Sequence, residues 1–252
     1  MKVTKEQLNN LVRQYETPDF ISNDPVQFPK RFTDKKDIEV AAFLTAIVAW
    51  GNRKQIISDC EKMFSIIGNS PFRFVIDGKW SKIDPDMNIH RTFFGRDLIY
   101  ICRGLKYIYH YAFTLENIKF DNVWQWVERL QKLMIEANSG EYNKHVAPSG
   151  GNHASHKGQS ACKRLHLFLR WMVRTDSPVD FGVWTQNFSP RQLLIPLDVH
   201  VARMGREMGF ITRKSNDRIT VEELTDKLRD FDENDPCKYD FALFGLGESL
   251  KR

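Results

Sequence analysis

Apolar residues recur at three- and four-residue intervals through nearly the whole chain, while the two-residue alternation of half-buried strands is almost missing. Such a chain is restricted to helix-on-helix packing, because each segment can bury its apolar stripe only against other helices. KKDIEVAAFLTAIVAW is apolar on most of its faces and is expected to be a central buried helix ending at Gly51. Amphipathic helices are expected from Thr4 or Lys5 to Tyr15, in RKQIISDCEKMFSII closed by Gly68 and Asn69, and in RDLIYICRGLKYIYHYAF. DNVWQWVERLQKLMIEAN is another, with Asp121 as its N-cap and Val123, Trp126, Val127, Leu130 and Met134 on one face. PFRFVID reads as a short helix, and ISNDPVQFPKRF and WSKIDPDMNIHRTFFG read as loops.

Beyond residue 144 the pattern breaks. HVAPSGGNHASHKGQS is rich in glycine, serine and histidine and reads as an exposed loop. The helix ACKRLHLFLRWMVR follows, with Ser160 as its expected cap. Ala161, Leu165, Phe168, Leu169 and Met172 form its apolar face, leaving Lys163, Arg170 and Arg174 as a basic stripe read as solvated, with His166 nearby. DSPVDFGVWTQNFSPRQ reads as a linker to LIPLDVHVARMGREMGF, and TVEELTDKLRDF and DPCKYDFALFGLGESL are further helices, the last with Asp235 as N-cap and Pro236 at its first position.

Lys and Arg number 37 against 32 Asp and Glu, a formal charge of +5 that mildly favours an anionic partner such as nucleic acid. The four cysteines are scattered with no CxxC pair, which points away from a disulfide framework and towards a reducing cytoplasm. The first residues lack the apolar run of a signal peptide, and no stretch reaches membrane-spanning length, so a cytoplasmic monomer with no membrane contact is expected. His145, His153, His156 and Cys162 fit no common zinc spacing, and no metal or cofactor is expected.

Asp198, in LIPLDVHV, opens a helical pattern and by local physics is an N-cap. A capping carboxylate sits in the positive end of the helix dipole, which favours its charged form and fixes its direction. That also suits a group that stabilises a nearby cation. LIPLDVHVARMGREMGF resembles the segment of the helix-hairpin-helix DNA glycosylases, the superfamily of endonuclease III and the adenine and oxoguanine glycosylases, in which an apolar-Pro-apolar-Asp-x-His-Val run carries the catalytic aspartate. AAFLTAIVAWGNRKQIISDCEKMF resembles their early helix, turn and helix, with Asn52 near the residue that probes the DNA stack, and KYDFALFGLG resembles a late helix ending in a small-residue turn behind the aspartate. More closely, AWGNRK, SACKRLHLFLRWMVR, IPLDVHVAR and DPCKYDFALFGLG together resemble the bacterial domain of unknown function 2400 family.

The glycosylase resemblance implies an all-α fold in one domain, 1–252, with two lobes, roughly 35–140 and 1–34 with 141–252. It implies DNA as partner and, with Asp198, a catalytic Lys163 that attacks the sugar in bifunctional members. A nucleophilic amine must be neutral when it attacks, and a position in the first turn beside Arg164 works in that direction. The plainer reading of Lys163 and Arg164 is phosphate or solvent contact. Asn52, Arg53, Arg164, Arg170 and Arg203 are the expected DNA contacts, although Asn52 and Arg53 also read simply as the close of one helix and the start of the next. His200 points to another side of its helix and reads as a packing or hydrogen-bonding residue. In HRTFFGRDL the phenylalanines read as core, and the role of Arg91 and Arg96 is left open.

The chain departs from the common glycosylase pattern in three ways. No Leu-Pro-Gly-x-Gly hairpin precedes Lys163, only GGNHASHKGQS. Lysine and aspartate stand 35 positions apart, a spacing nearer that of an archaeal oxoguanine glycosylase branch. The iron-sulfur motif of endonuclease III is missing. A damaged-base glycosylase, with or without lyase activity, is the leading expectation. A nucleic-acid-binding protein that kept the fold and lost the chemistry is the alternative, and a protein-interaction scaffold is a third.

Overall fold

The computed structural model describes residues 3–146, 156 and 158–250. The described residues are all-α apart from one short hairpin and an isolated bridge between Ser160 and Asp217. In chain order the helices are α1 (Lys5–Tyr15), α2 (Asp19–Ser22), α3 (Lys35–Val48), α4 (Arg53–Ile67), α5 (Pro71–Ile76), α6 (Gly95–Ala112), α7 (Val123–Ala137), α8 (Lys163–Val173), α9 (Val199–Glu207), α10 (Arg218–Arg229) and α11 (Tyr239–Ser249). Strands β1 (Asn88–His90) and β2 (Phe93–Phe94) pair antiparallel inside the segment WSKIDPDMNIHRTFFG, which the sequence presents as loop. The pair is too short for alternation to be visible, and Arg91 turns the chain in the left-handed region at φ 52°.

Two compact units divide the chain, one of residues 1–22 with 149–252 and the other of 23–148. The boundaries lie outside those drawn from the sequence, at 34/35 and 140/141, for identifiable reasons. Two 3-10 turns, Pro25–Gln27 and Pro29–Arg31, occupy the proline-rich segment, and Phe28 stacks on Phe64 of α4 with ring centroids 5.4 Å apart. At the other boundary Asn143 donates to Asp97 (2.8 Å) and the His145 ring contacts the Thr92 carbonyl (3.1 Å). Both ends of the segment 23–148 are thus sewn into its own core.

In that unit α3 is the central helix, buried from Ile38 to Val48, as its apolar character requires. Buried Glu39 accepts hydrogen bonds from the Tyr109 hydroxyl (2.8 Å) and the Leu115 amide (3.0 Å), so its carboxylate is satisfied inside the core. α7 begins at Val123 with Asn122, not Asp121, as N-cap: the Asn122 side chain accepts from the Gln125 amide, while the Asp121 amide donates back to the Gln125 side chain.

In the other unit α11 packs between α1 and α9. Gly245 and Gly247 make this possible. A Cβ at Gly245 would lie 2.2 Å from the Tyr15 ring, and one at Gly247 would lie 3.0 Å from Cβ of His200. These glycines sit within α11, so the small residues of KYDFALFGLG permit helix-to-helix approach and do not form the turn expected of them.

No helix among the described residues is long and apolar enough to cross a membrane.

Candidate functional site

Asp198 and Lys163 meet in the unit formed by 1–22 and 149–252. LIPL, ahead of the aspartate, is anchored by buried Leu194, Ile195 and Leu197, and the Ile195 amide donates to Thr225 of α10 (3.1 Å). Asp198 then caps α9, its Oδ1 accepting from the amides of His200 (2.8 Å) and Val201 (2.9 Å). The cap occupies one carboxylate oxygen. The other, Oδ2, lies 3.8 Å from Nζ of Lys163. Asp198 is 13% exposed at its side chain and Lys163 32%, so the pair is sheltered yet open on one side.

Lys163 is the first residue of α8, which begins two positions later than the expected helix ACKRLHLFLRWMVR. Ser160 is not the cap. Cys162 holds that position in the left-handed region (φ 43°), its carbonyl accepts from Leu165 and His166, and Ser160 instead accepts from the Cys162 amide (3.1 Å). The approach to Lys163 is tied to α10: Ser160 bridges to Asp217, the Gly158 amide donates to the Asp217 carboxylate (3.2 Å), and the Arg218 amide donates to the Gln159 carbonyl (3.0 Å). Burial pushes the Asp217 carboxyl up, but the amides of Gly158 and Thr220 and the side chains of Arg213 and Ser215 more than offset it, leaving it below the usual range. Residues 147–155 and 157, including His153, lie outside the described residues.

Behind the pair runs a cluster that the sequence reading misplaced. Arg170 and Arg174, expected on a solvated stripe, are 3% and 2% exposed. Arg174 donates to Glu16 (2.7 Å), Asp180 (2.5 Å) and Asp235 (2.9 Å), and Arg170 pairs with Asp180 (3.2 Å) and with Asp240. The Phe241 ring lies under both guanidiniums, at 4.2 and 5.5 Å. Arg170 is therefore consumed by internal carboxylates, and its expected place among the DNA contacts is corrected. Its two carboxylate partners, Asp180 and Asp240, come from the linker and from α11, outside this helix, and no local spacing in ACKRLHLFLRWMVR reveals them.

Four carboxylates share two guanidiniums in this cluster. Burial lifts Asp240 to about 6 against the pull of Arg170, with the negative charge of Asp198 adding to the rise and Lys163 opposing it. Asp240 is thus the titrating neighbour of the Lys163–Asp198 pair. Its only sequence signal was the DPCKYD run, legible as a helix start and no more.

His166 is wholly buried on α8, and burial, followed by the charge of Arg218, pushes its imidazole down to about 3. A histidine depressed in the folded state takes up its proton more readily when unfolded, so its contribution is complete above pH 6.5 and is lost as pH falls towards 3. Between pH 7.5 and pH 5 this group alone removes about 2 kcal/mol from the unfolding free energy. Urea titrations at the two pH values should show wild type losing that much more than His166→Gln; equal losses would contradict the assignment.

Arg164 is half-buried next to Lys163, and burial pushes it down to about 10. Arg203, on α9, donates to the Gly247 carbonyl (2.5 Å) with its side chain 40% exposed. His200 shares that acceptor through Nδ1 (3.2 Å) and sets its ring edge-on to Phe244, a packing role as read from the sequence.

Asn52 and Arg53 belong to the other unit. Asn52 caps α4 by accepting from the Gln55 amide (3.3 Å), and Arg53 is the first helical residue. Asn52 lines a cavity of about 620 Å³ together with Lys54, Gln55, Asp59, Lys62, Asn88 and Arg91. The Arg91 guanidinium lies 4.7 Å from the Trp50 ring centroid. Beneath, His90 bridges the Asp59 carboxylate (2.7 Å) and the Trp50 carbonyl (2.8 Å), which fixes the turn carrying Asn52. His145, read as part of an exposed polar loop, is 5% exposed and packs against Trp50 and Phe93. Phe93 is core, as expected, whereas Phe94 is half-buried, and Arg96 pairs with Asp86 (2.6 Å). No group of three or more His, Cys, Asp or Glu among the described residues is placed to hold a metal ion.

The profile of the family described as Protein of unknown function (DUF2400) matches residues 24–249, and the chain belongs to that family. No curated protein and no solved structure matches the chain.

Proposed function

We propose that this member of the DUF2400 family is a DNA-repair glycosylase that excises a damaged base with Lys163 as nucleophile and Asp198 as electrostatic partner. The supporting observation is the 3.8 Å approach of Lys163 Nζ to Asp198 Oδ2, with the other carboxylate oxygen held by two backbone amides. An amine and a directed carboxylate at this distance match the needs of substitution at an anomeric carbon, where a nucleophile attacks as positive charge develops on the sugar.

In this reading the target nucleotide leaves the stack and presents C1′ to the pair. The neutral lysine amine adds to C1′, and the C1′–N bond breaks with its electron pair leaving on the base, which takes a proton from water. Loss of a proton from the bound nitrogen then allows the C1′–O4′ bond to open, O4′ to be protonated and a protonated Schiff base to form. Asp198 stabilises the sugar cation before the amine has bonded. Arg164 and Arg203 are the phosphate-contacting residues proposed beside the pair, and Asn52 and Arg53 those proposed on the other unit.

The test is incubation with duplexes carrying single damaged bases or an abasic site in the presence of borohydride, which reduces the Schiff base to a stable secondary amine. The expected result is a covalent protein–DNA adduct that disappears in Lys163→Ala. Base release without an adduct, lost in Asp198→Asn, would assign a water nucleophile. Salt-sensitive DNA binding with neither release nor adduct would indicate a binding protein without the chemistry. Absence of DNA binding would overturn both.

A further inference from the structure

The unit of residues 23–148 holds a second cavity, of about 610 Å³, bounded by the start of α3, by α5, by the 3-10 turn Lys79–Lys82 and by one face of α6. That volume is in the range of small-ligand sites. Its walls are aromatic: Phe72, Trp80, Tyr107 and Tyr109, with Phe72 and Tyr109 edge to face at 5.0 Å. The polar ends of three of these rings are already engaged. The Trp80 indole donates to the Val75 carbonyl (2.9 Å), Tyr109 to Glu39 (2.8 Å) and Tyr107 to Glu136 (3.1 Å). What they present to a ligand is ring surface.

The charge of the lining has one sign. Lys36, Arg103 and Lys106 border the cavity, and no carboxylate does. Most arginines are ion-paired, yet none of these three cations has a carboxylate within 4 Å among the described residues. Lys36 lies 4.7 Å from the Phe72 centroid, and Arg103 lies 5.7 Å from that of Trp80 while donating to the neutral Asn138 side chain (2.9 Å). The nearby acids are spent elsewhere: Glu39 is buried behind Tyr109, and Asp37 accepts from the Phe72 amide (2.8 Å) and the Ser70 hydroxyl.

Aromatic walls alone would take any apolar group, and three cations alone would take any anion. Together, in a space of this size, they select a planar ring joined to an anionic group, since stacking and charge-assisted hydrogen bonds can then act at once. We infer that the cavity between α3, α5 and α6 is a binding site for a free nucleoside monophosphate, its base against Trp80 and the tyrosines and its phosphate at Lys36, Arg103 and Lys106. The site lies wholly within one unit and is independent of the Lys163–Asp198 chemistry.

Calorimetric titration of the full chain tests this with adenosine, guanosine, cytidine and uridine 5′-monophosphates, with adenosine, with inorganic phosphate and with a five-residue oligodeoxyadenylate. At least one monophosphate is expected to bind below millimolar concentration. Adenosine and phosphate should each bind at least about tenfold more weakly, the loss expected when charge-assisted hydrogen bonds or ring contacts are missing. Lys36→Glu with Lys106→Glu should weaken the monophosphate by at least about tenfold as well. Both lysines are exposed, so an unchanged melting temperature is the control for folding; Lys106→Gln serves if the double variant is unstable. No binding of any monophosphate, binding that ignores the lysine changes, or binding of the oligonucleotide alone would each overturn the proposal.

Discussion

Replacing Arg174 by methionine is expected to lower the free energy of unfolding by about 3–5 kcal/mol, the cost of leaving buried carboxylates without their counter-charge. Arg174 is 2% exposed and binds Glu16 beyond the end of α1, Asp180 in the linker and Asp235 before α11. Burial alone would favour its neutral form, but the charges of Asp180, Asp235 and Glu16 outweigh that and hold it protonated. Removing it strands Glu16 and Asp235 and leaves Asp180 and Asp240 to share Arg170. A single domain of ordinary stability has only about 5–15 kcal/mol to lose, so the variant should be partly unfolded at 37 °C. The measurement is urea unfolding at pH 7. Arg174→Met combined with Asp180→Asn should recover part of the loss, because it removes one of the two carboxylates left sharing Arg170. A change below about 1 kcal/mol would place the cluster's worth near that of a surface pair and refute its role as the clasp of this unit.

Asp198→Asn is expected to reduce base release by about 10²–10³-fold, the usual cost of removing one preorganised electrostatic partner from a reacting centre. Asparagine caps a helix about as well as aspartate, so the α9 cap should survive and the unfolding free energy should change by only a few tenths of a kcal/mol. That contrast separates two roles that Asp198 combines in one side chain. If Oδ1 binding the amides of His200 and Val201 is all that matters, asparagine leaves both stability and activity intact. If Oδ2, facing Lys163 at 3.8 Å, carries the chemistry, activity falls while stability holds. Asp198→Ala should reduce both, with about 1 kcal/mol of stability lost with the cap. The DNA substrate is the lesion-bearing duplex that gives release with wild type.

The buried cluster places a titrating carboxyl beside the Lys163–Asp198 pair. Asp240 titrates near 6 and interacts with both Asp198 and Lys163. Because its folded value is raised, its favourable contribution to folding is complete below the ordinary carboxylate range and is lost as pH rises through 6. The same ionisation puts a second negative charge behind the pair above pH 6.

The helical elements were legible because a helix writes its buried face into consecutive turns. α1 starts at Lys5, Gly68 closes α4, Lys163 lies in the first turn of α8, and Asp198 caps α9 where the spacing places them. Each depends on residues within four positions. Two caps were misplaced by one or two residues, Asn122 and Cys162 standing where Asp121 and Ser160 were expected, and the larger errors arose where partners lie far apart in the chain. The basic spacing of Lys163, Arg170 and Arg174 marks a polar side of α8, but whether water or carboxylates lie against that side depends on Glu16, Asp180, Asp235 and Asp240. Likewise His145 read as loop because its own neighbours are polar, while the groups that bury it, Trp50, Thr92 and Phe93, come from another stretch.

From the order of its residues alone, then, this protein is a chain of amphipathic helices with an aspartate capping one and a lysine in the first turn of another. Local hydrogen bonds and apolar periodicity suffice for that, since both act over a turn or two. That Lys163 and Asp198, 35 positions apart, share one sheltered place, that Arg170 and Arg174 are core, and that Lys36 and Lys106 border one aromatic cavity all follow from chain folding. Long-range packing sets burial, and burial determines whether a charge is a surface ornament, a structural clasp or a group poised for chemistry.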